Sequence, residues 1–157
     1  MKAWAVGLVA LQGCLVLNAG GNPANVVYCD LIKSPSIYLG RDIRVRAIYR
    51  YGFEIQQLES PDCCVEKPVK IWVEVEPLDA RSRKLLHRFP KGMGLALGVF
   101  TGRLQSGGPF GDGGYRLRFT VSQIEAVEAV AHPSARNPPS WAPQNCSHPG
   151  EPNKAEP

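Results

Sequence analysis

Beyond its first twenty residues the chain has no long apolar run, so no later stretch offers the roughly 20 apolar residues that cross a bilayer as a helix. Histidine is scarce. His87, His132 and His148 are the only three, and none stands at ligand spacing from a cysteine, which removes the usual basis for a metal site. There is no Ser-His-Asp order, no pair of carboxylates in a recognisable frame and no phosphate loop followed by Lys. The glycines of Gly107–Gly114 lead into a strand pattern, not a helix, and so make a poor phosphate cradle. These absences point to a protein that is not an enzyme and carries no cofactor. Charge of one sign is missing too. The 18 Lys and Arg against 14 Asp and Glu leave a net +4, far from the dense basic stripe of a dedicated nucleic-acid binder.

With 157 residues the chain has room for one domain with a reasonable core, and not comfortably for two. Residues 1–20 read as an export signal. Lys2 precedes an apolar run from Ala3 to Leu17, and the small residues Ala19, Gly20 and Gly21 follow. Leu11-Gln-Gly-Cys14 resembles a bacterial lipobox, in which the cysteine is lipidated. Gln12 departs from that pattern, and Leu15–Leu17 continues the apolar run past the cysteine. The geometry of the run favours cleavage near Ala19–Gly21, with lipidation of Cys14 as the alternative. The mature chain is therefore expected in the periplasm or outside the cell, or anchored there by lipid. Export would place Cys29, Cys63, Cys64 and Cys146 in an oxidising compartment. Adjacent Cys63 and Cys64 would make a strained pair, so Cys29 is expected to bridge to one of them. Such a bridge closes a loop of about 34 residues, worth about 3–4 kcal/mol in the chain-entropy model. A buried free thiol at Cys29 is the alternative, and Cys146 is either a staple or an unpaired thiol.

The strongest pattern lies in Asp42–Phe53. Ile43, Val45, Ala47, Tyr49 and Tyr51 share one face, and Arg44, Arg46, Ile48 and Arg50 share the other, as in a strand with one side buried. An apolar Ile48 among arginines suggests cover on both sides at that point. Upstream, Val26–Lys33 carries Tyr28, Leu31 and Ile32 at helical spacing until Ser34-Pro35 stops it. Downstream, Glu54–Glu59 is a weaker second strand. Pro68–Glu76 is a third, with Val69, Ile71, Val73 and Val75 inward and Trp72, Glu74 and Glu76 outward. Asp79 can cap a helix reaching Arg88, with Leu78, Leu85, Leu86 and Phe89 as its apolar stripe. Leu95–Leu104 is a fourth strand, in which Gly98 and Gly102 suggest bends or a close backbone approach. Ser106–Gly114 holds five glycines in nine residues and reads as a loop before the fifth strand, Tyr115–Ile124. Residues 132–157 contain seven of the fourteen prolines and no apolar period, so they read as a disordered tail behind a domain at 21–131.

This order of elements resembles an OB-fold, an all-β, five-stranded Greek-key barrel with a helix between strands three and four. The opening also resembles a recurring exported bacterial domain of that class. There a short helix precedes a pattern matched here by Cys29–Lys33, Pro35, Tyr38, Gly40, Arg41, Ile43–Ala47 and Tyr49. The resemblance covers about residues 26–129. It implies ligand binding on the face of strands two and three and the adjoining loops, where this chain places Arg44, Arg46, Arg50, Tyr51, Phe53, Trp72 and Phe110. Those aromatics either stack on a ligand or are covered by loops. The implied function is a non-catalytic binding module of the cell envelope, its partner an unknown envelope component. The alternative is a nucleic-acid or polyanion binder using the strand-one arginines, helped by Arg81, Arg83, Lys84, Arg88 and Lys91. Glu74 and Glu76 are expected to face Arg116 and Arg118 and cancel their field, so strong nucleic-acid binding is not expected.

Overall fold

The computed structural model describes residues 22–60, 62–63, 69–112, 114–132 and 139–142. The leader with Cys14, the second cysteine of the Cys63-Cys64 pair, Cys146 and most of the tail lie outside the described residues. The elements are β1 (Ala24–Val26), α1 (Tyr28–Lys33), a 3-10 turn at Pro35–Tyr38, β2 (Asp42–Tyr51), β3 (Gln56–Glu59), β4 (Ile71–Val75), α2 (Ala80–Leu86), β5 (Gly94–Phe110) and β6 (Tyr115–Ala131). The protein is mostly β, with six strands in one mixed sheet where the sequence pattern led us to expect five. The extra strand is β1. It pairs parallel to Ile43–Val45 and buries Val26. Three residues carry no period of their own, so this strand exists only because β2 offers it an edge.

β2 organises the sheet. Along one side it pairs with β5 over its full length, from Asp42 opposite Arg103 to Tyr51 opposite Gly94. Its other side is shared by β1 and β3. β3 is antiparallel to β4, β4 parallel to β6, and β6 antiparallel to β5. Followed strand to strand, the pairing leaves β2 through β3, β4, β6 and β5 and returns to β2. The face of β2 expected to be buried lines the main core, in which Ile43, Val45, Ala47 and Tyr49 meet Ile71, Val73, Phe100, Leu104, Phe119 and Val121. Val75, expected inward, is instead 38% exposed at the end of β4.

The two helices are tied in by different means. α1 sends Tyr28, Leu31 and Ile32 into the core, and the Tyr28 hydroxyl donates to the Leu58 carbonyl at 2.6 Å. The Cys29–Cys63 disulfide holds the same helix to the segment after β3, with Cα atoms 5.4 Å apart. Asp79 caps α2 as its spacing implied, accepting from the Ser82 N–H at 2.6 Å. Ser82 is fully buried. Its Oγ accepts from the Ile124 N–H at 3.0 Å and donates to the Ile124 carbonyl at 3.2 Å, pinning α2 to β6.

β5 and β6 run far beyond their expected ends, and their long hairpin absorbs most of the loop expected at Ser106–Gly114. Register shifts next to Gly98 and Gly102 let it curve. A Cβ at Gly102 would strike the Thr120 carbonyl oxygen, and one at Gly98 the Ala126 carbonyl oxygen, which is the close backbone approach the glycines suggested.

A second apolar cluster occupies the opposite face of β2. It joins Ile48, Leu95, Leu97 and Ala142, with Ala129, Ala131 and Trp141 packed against them. β2 is thus covered on both sides at this point, as the place of Ile48 among arginines implied. What covers it comes from four described residues of the stretch expected to be a tail, most of which lies outside the described residues. Pro139–Ala142 forms a turn, closed by the Ala142 N–H donating to the Pro139 carbonyl at 2.8 Å, and Ala142 is buried in the cluster. Trp141 and Ala142 make the contact with the cluster although the sequence there carries no periodic face.

Candidate functional site

The residues expected to form one binding face are distributed over three neighbourhoods. The first holds the arginines of β2. Arg44 Nε donates to Glu125 at 2.6 Å, and Arg44 Nη1 to the Asn25 side chain at 3.0 Å. Arg46 grips Glu128 through Nε and Nη2, at 3.0 and 2.7 Å. Arg50 Nε donates to Glu59 at 2.6 Å. All three guanidinium groups are engaged by carboxylates, so a polyanion would have to displace three ion pairs to reach them. Glu125 and Glu128 were missed as partners because they lie 81 and 82 residues away and their strand was expected to stop at Ile124.

Those pairs leave a mark on acid stability. Partial burial opposes the charge on Glu125, but hydrogen bonds from Thr101 and Arg44 outweigh it and hold the carboxyl below its usual range. A carboxylate whose value is lowered by folding stabilises the protein above the unfolded value of about 4.3, and that stabilisation is lost as pH falls through the folded-state value. Glu125→Gln should therefore flatten the fall in melting temperature below about pH 4.3. An acid limb of unchanged steepness would show that Glu125 is not held this way.

The second neighbourhood surrounds Arg118. It donates to Glu74 at 2.9 Å and to Gln105 at 3.1 and 2.8 Å, and it lies 4.7 Å over the Phe110 ring. The expected facing of Glu74 and Arg118 is present. Arg116 and Glu76 do not pair among the described residues, because Ile71 is in register with Leu117 and Arg116 therefore stands one step before it, towards Lys70. Trp72 is half-buried. Its ring packs at 5.3 Å from that of Tyr115 and lies under the turn at Gly111, whose φ of 56° suits glycine. Trp72 and Phe110 are each partly covered, the first by the β5–β6 turn and the second by a guanidinium over its ring.

The third neighbourhood is the tip of the β2–β3 hairpin. Tyr51 stacks on Phe89 with ring centres 5.7 Å apart and donates its hydroxyl to the Pro90 carbonyl at 2.7 Å. Burial pushes its phenol up to about 12, so it is a neutral donor at ordinary pH. Beyond it Phe53 is 93% exposed, beside Met93 at 51% and Ile55 at 43%. Together with Arg50, Tyr51, Gly52 and Glu54 they line a hollow of about 270 Å³. A larger hollow of about 480 Å³ lies over β5 and β6, walled by polar groups that include Asp42, Glu76, Thr101, Arg103 and Thr120. There Arg103 is already held by Asp42 through contacts of 2.9 and 3.0 Å.

Among the described residues no helix is long and apolar enough to cross a membrane, and no cluster of His, Cys, Asp and Glu could hold a metal ion. Comparison with known proteins finds no matching family model, no matching curated protein and no matching solved structure.

Proposed function

We propose that this chain is a non-catalytic binding module exported to the bacterial cell envelope, built as an OB-like barrel that holds out its β2–β3 tip to a protein partner. Three supports come from different levels. The pairing of β2, β3, β4, β6 and β5 returns to β2, the parallel β4–β6 contact closes the far side, and α2 stands between the third and fourth strands of that ring. This pairing agrees with the Greek-key order expected of an OB barrel, with β1 added at an edge. The apolar leader and the Cys29–Cys63 bridge suit an oxidising compartment.

The observation that carries the binding reading is Phe53. A phenyl ring 93% exposed, flanked by exposed Met93 and Ile55, adds nothing to the core and has the form of an interface anchor. The adjoining hollow of about 270 Å³, near the lower end of the roughly 300–1,000 Å³ of small-molecule sites, has room for one projecting side chain. The partner is therefore a protein segment that presents a large apolar residue to the tip.

The test selects binders from a displayed peptide library and measures them against tip variants. Phe53→Ser should weaken a selected peptide by about 30-fold, the loss typical of an interface anchor. It should change folding stability by no more than about 0.5 kcal/mol, as expected at an exposed position. Arg44→Gln should leave the same peptide's affinity unchanged. Selected peptides that are acidic, salt-sensitive and indifferent to Phe53→Ser would replace this reading with polyanion binding.

A further inference from the structure

The apolar cluster on the outer face of the sheet has an arrangement that packing alone does not require. Ile48 on β2 stands opposite Leu97 on β5, and Leu97 stands opposite Ala129 on β6; Leu95 is likewise opposite Ala131. These side chains form an apolar strip across three strands, small on the β6 side. It is framed by charge, because Arg46 and Arg50 flank Ile48 along β2 and are held by Glu128 and Glu59. A buried apolar strip flanked by two ion pairs has the anatomy of a small interface with an apolar centre and a polar rim.

We propose that this strip is a peptide-docking site for a proline-flanked Trp-Ala turn, and that the chain fills it in cis with its own residues 139–142. The occupant is chemically matched to the site. Trp141 packs against the strip and Ala142 is 5% exposed within it. Pro138, Pro139 and Pro143 bracket Ser140–Ala142 in the sequence, which lowers the entropy lost when the segment is ordered. Residues 139–142 close a turn by their own backbone hydrogen bond and belong to no strand of the sheet, and Trp141 and Ala142 make the contact with the cluster. Such a strap is removable without unpairing a strand. Its departure would uncover Ile48, Leu95 and Leu97. The inference concerns a different surface from the Phe53 tip and stands without it.

The test uses the full chain and a synthetic peptide with the sequence of residues 137–145. Trp141→Ala and Ala142→Asp both release the strap, and neither alters any residue of the sheet. Each variant should remain folded, with a melting temperature lower by about 4 °C. Each should bind the peptide at least about tenfold more tightly than the native chain, whose site is already occupied. A peptide carrying the Trp→Ala change should not bind either variant. Equal binding to native and variant chains, or no binding to any, would overturn the proposal. So would unfolding of both variants, since a removable strap cannot be essential to the fold. A native dimer in sedimentation that dissociates on Trp141→Ala would overturn the cis assignment in favour of exchange between copies.

Discussion

Phe119→Ala is expected to lower stability by about 3–5 kcal/mol, the loss typical of deleting a fully buried phenyl ring. Phe119 is fully buried on β6, in register with Val73 on one side and Leu104 on the other, so it touches both neighbours of the strand that completes the pairing circuit. Its ring also reaches beneath Gly102, where the β5 backbone comes close enough to exclude a Cβ. That backbone is held by ladder hydrogen bonds and cannot collapse into the space a missing phenyl would leave, and incomplete collapse is what makes a core cavity costly. In a domain whose whole stability is about 5–15 kcal/mol, this is a large fraction. Denaturant melts would show a lower midpoint with an unchanged slope. A loss below about 1 kcal/mol would mean that the site closes over the cavity and that Phe119 is not central to the core.

Removing the Cys29–Cys63 bridge is expected to cost about 3–4 kcal/mol, the chain-entropy value for a loop spanning 34 residues. The double variant Cys29→Ala, Cys63→Ala is the appropriate comparison, because a single change would leave a thiol free to exchange with Cys64 or Cys146. The native fold should survive in it, since α1 keeps Leu31 and Ile32 in the core and the Tyr28 hydroxyl on the Leu58 carbonyl. Burial pushes that phenol well above its ordinary range, with the nearby Glu59 adding to the shift, so the hydroxyl stays protonated and keeps donating. Equal stability of the oxidised protein and the double variant would show that the bridge contributes nothing to the stability of the fold.

The sequence pattern located most of the secondary structure because its signals are local. Alternation across Asp42–Tyr51 named the buried face of β2, since a strand shows its neighbours every second residue. Asp79 announced α2 because a cap acts within one turn. Ile48, out of place among arginines, pointed to a second covered face without saying what covers it. The roles of Trp72 and Phe110 were not legible in this way. Whether an outward aromatic is bare or covered depends on a turn or a guanidinium that arrives from elsewhere in the chain, in this fold Gly111 and Arg118. The same holds for Phe53, whose 93% exposure is set by where the β2–β3 tip and Met93 come to lie.

The sequence by itself determined a β-rich chain with a short N-terminal helix and a capped second helix, because each follows from periods and caps along the chain, whereas the pairing of Cys29 with Cys63 was decided by the fold. Only the tertiary structure decided that β1 adds to the edge of β2, that Arg44 and Arg46 meet Glu125 and Glu128, and that Pro139–Ala142 lies over Ile48. Those contacts join residues about 20 to 100 positions apart, and no local preference favours them. They form when the sheet pairs, since pairing then brings the free edge, the carboxylates and the apolar strip to where their partners can reach them.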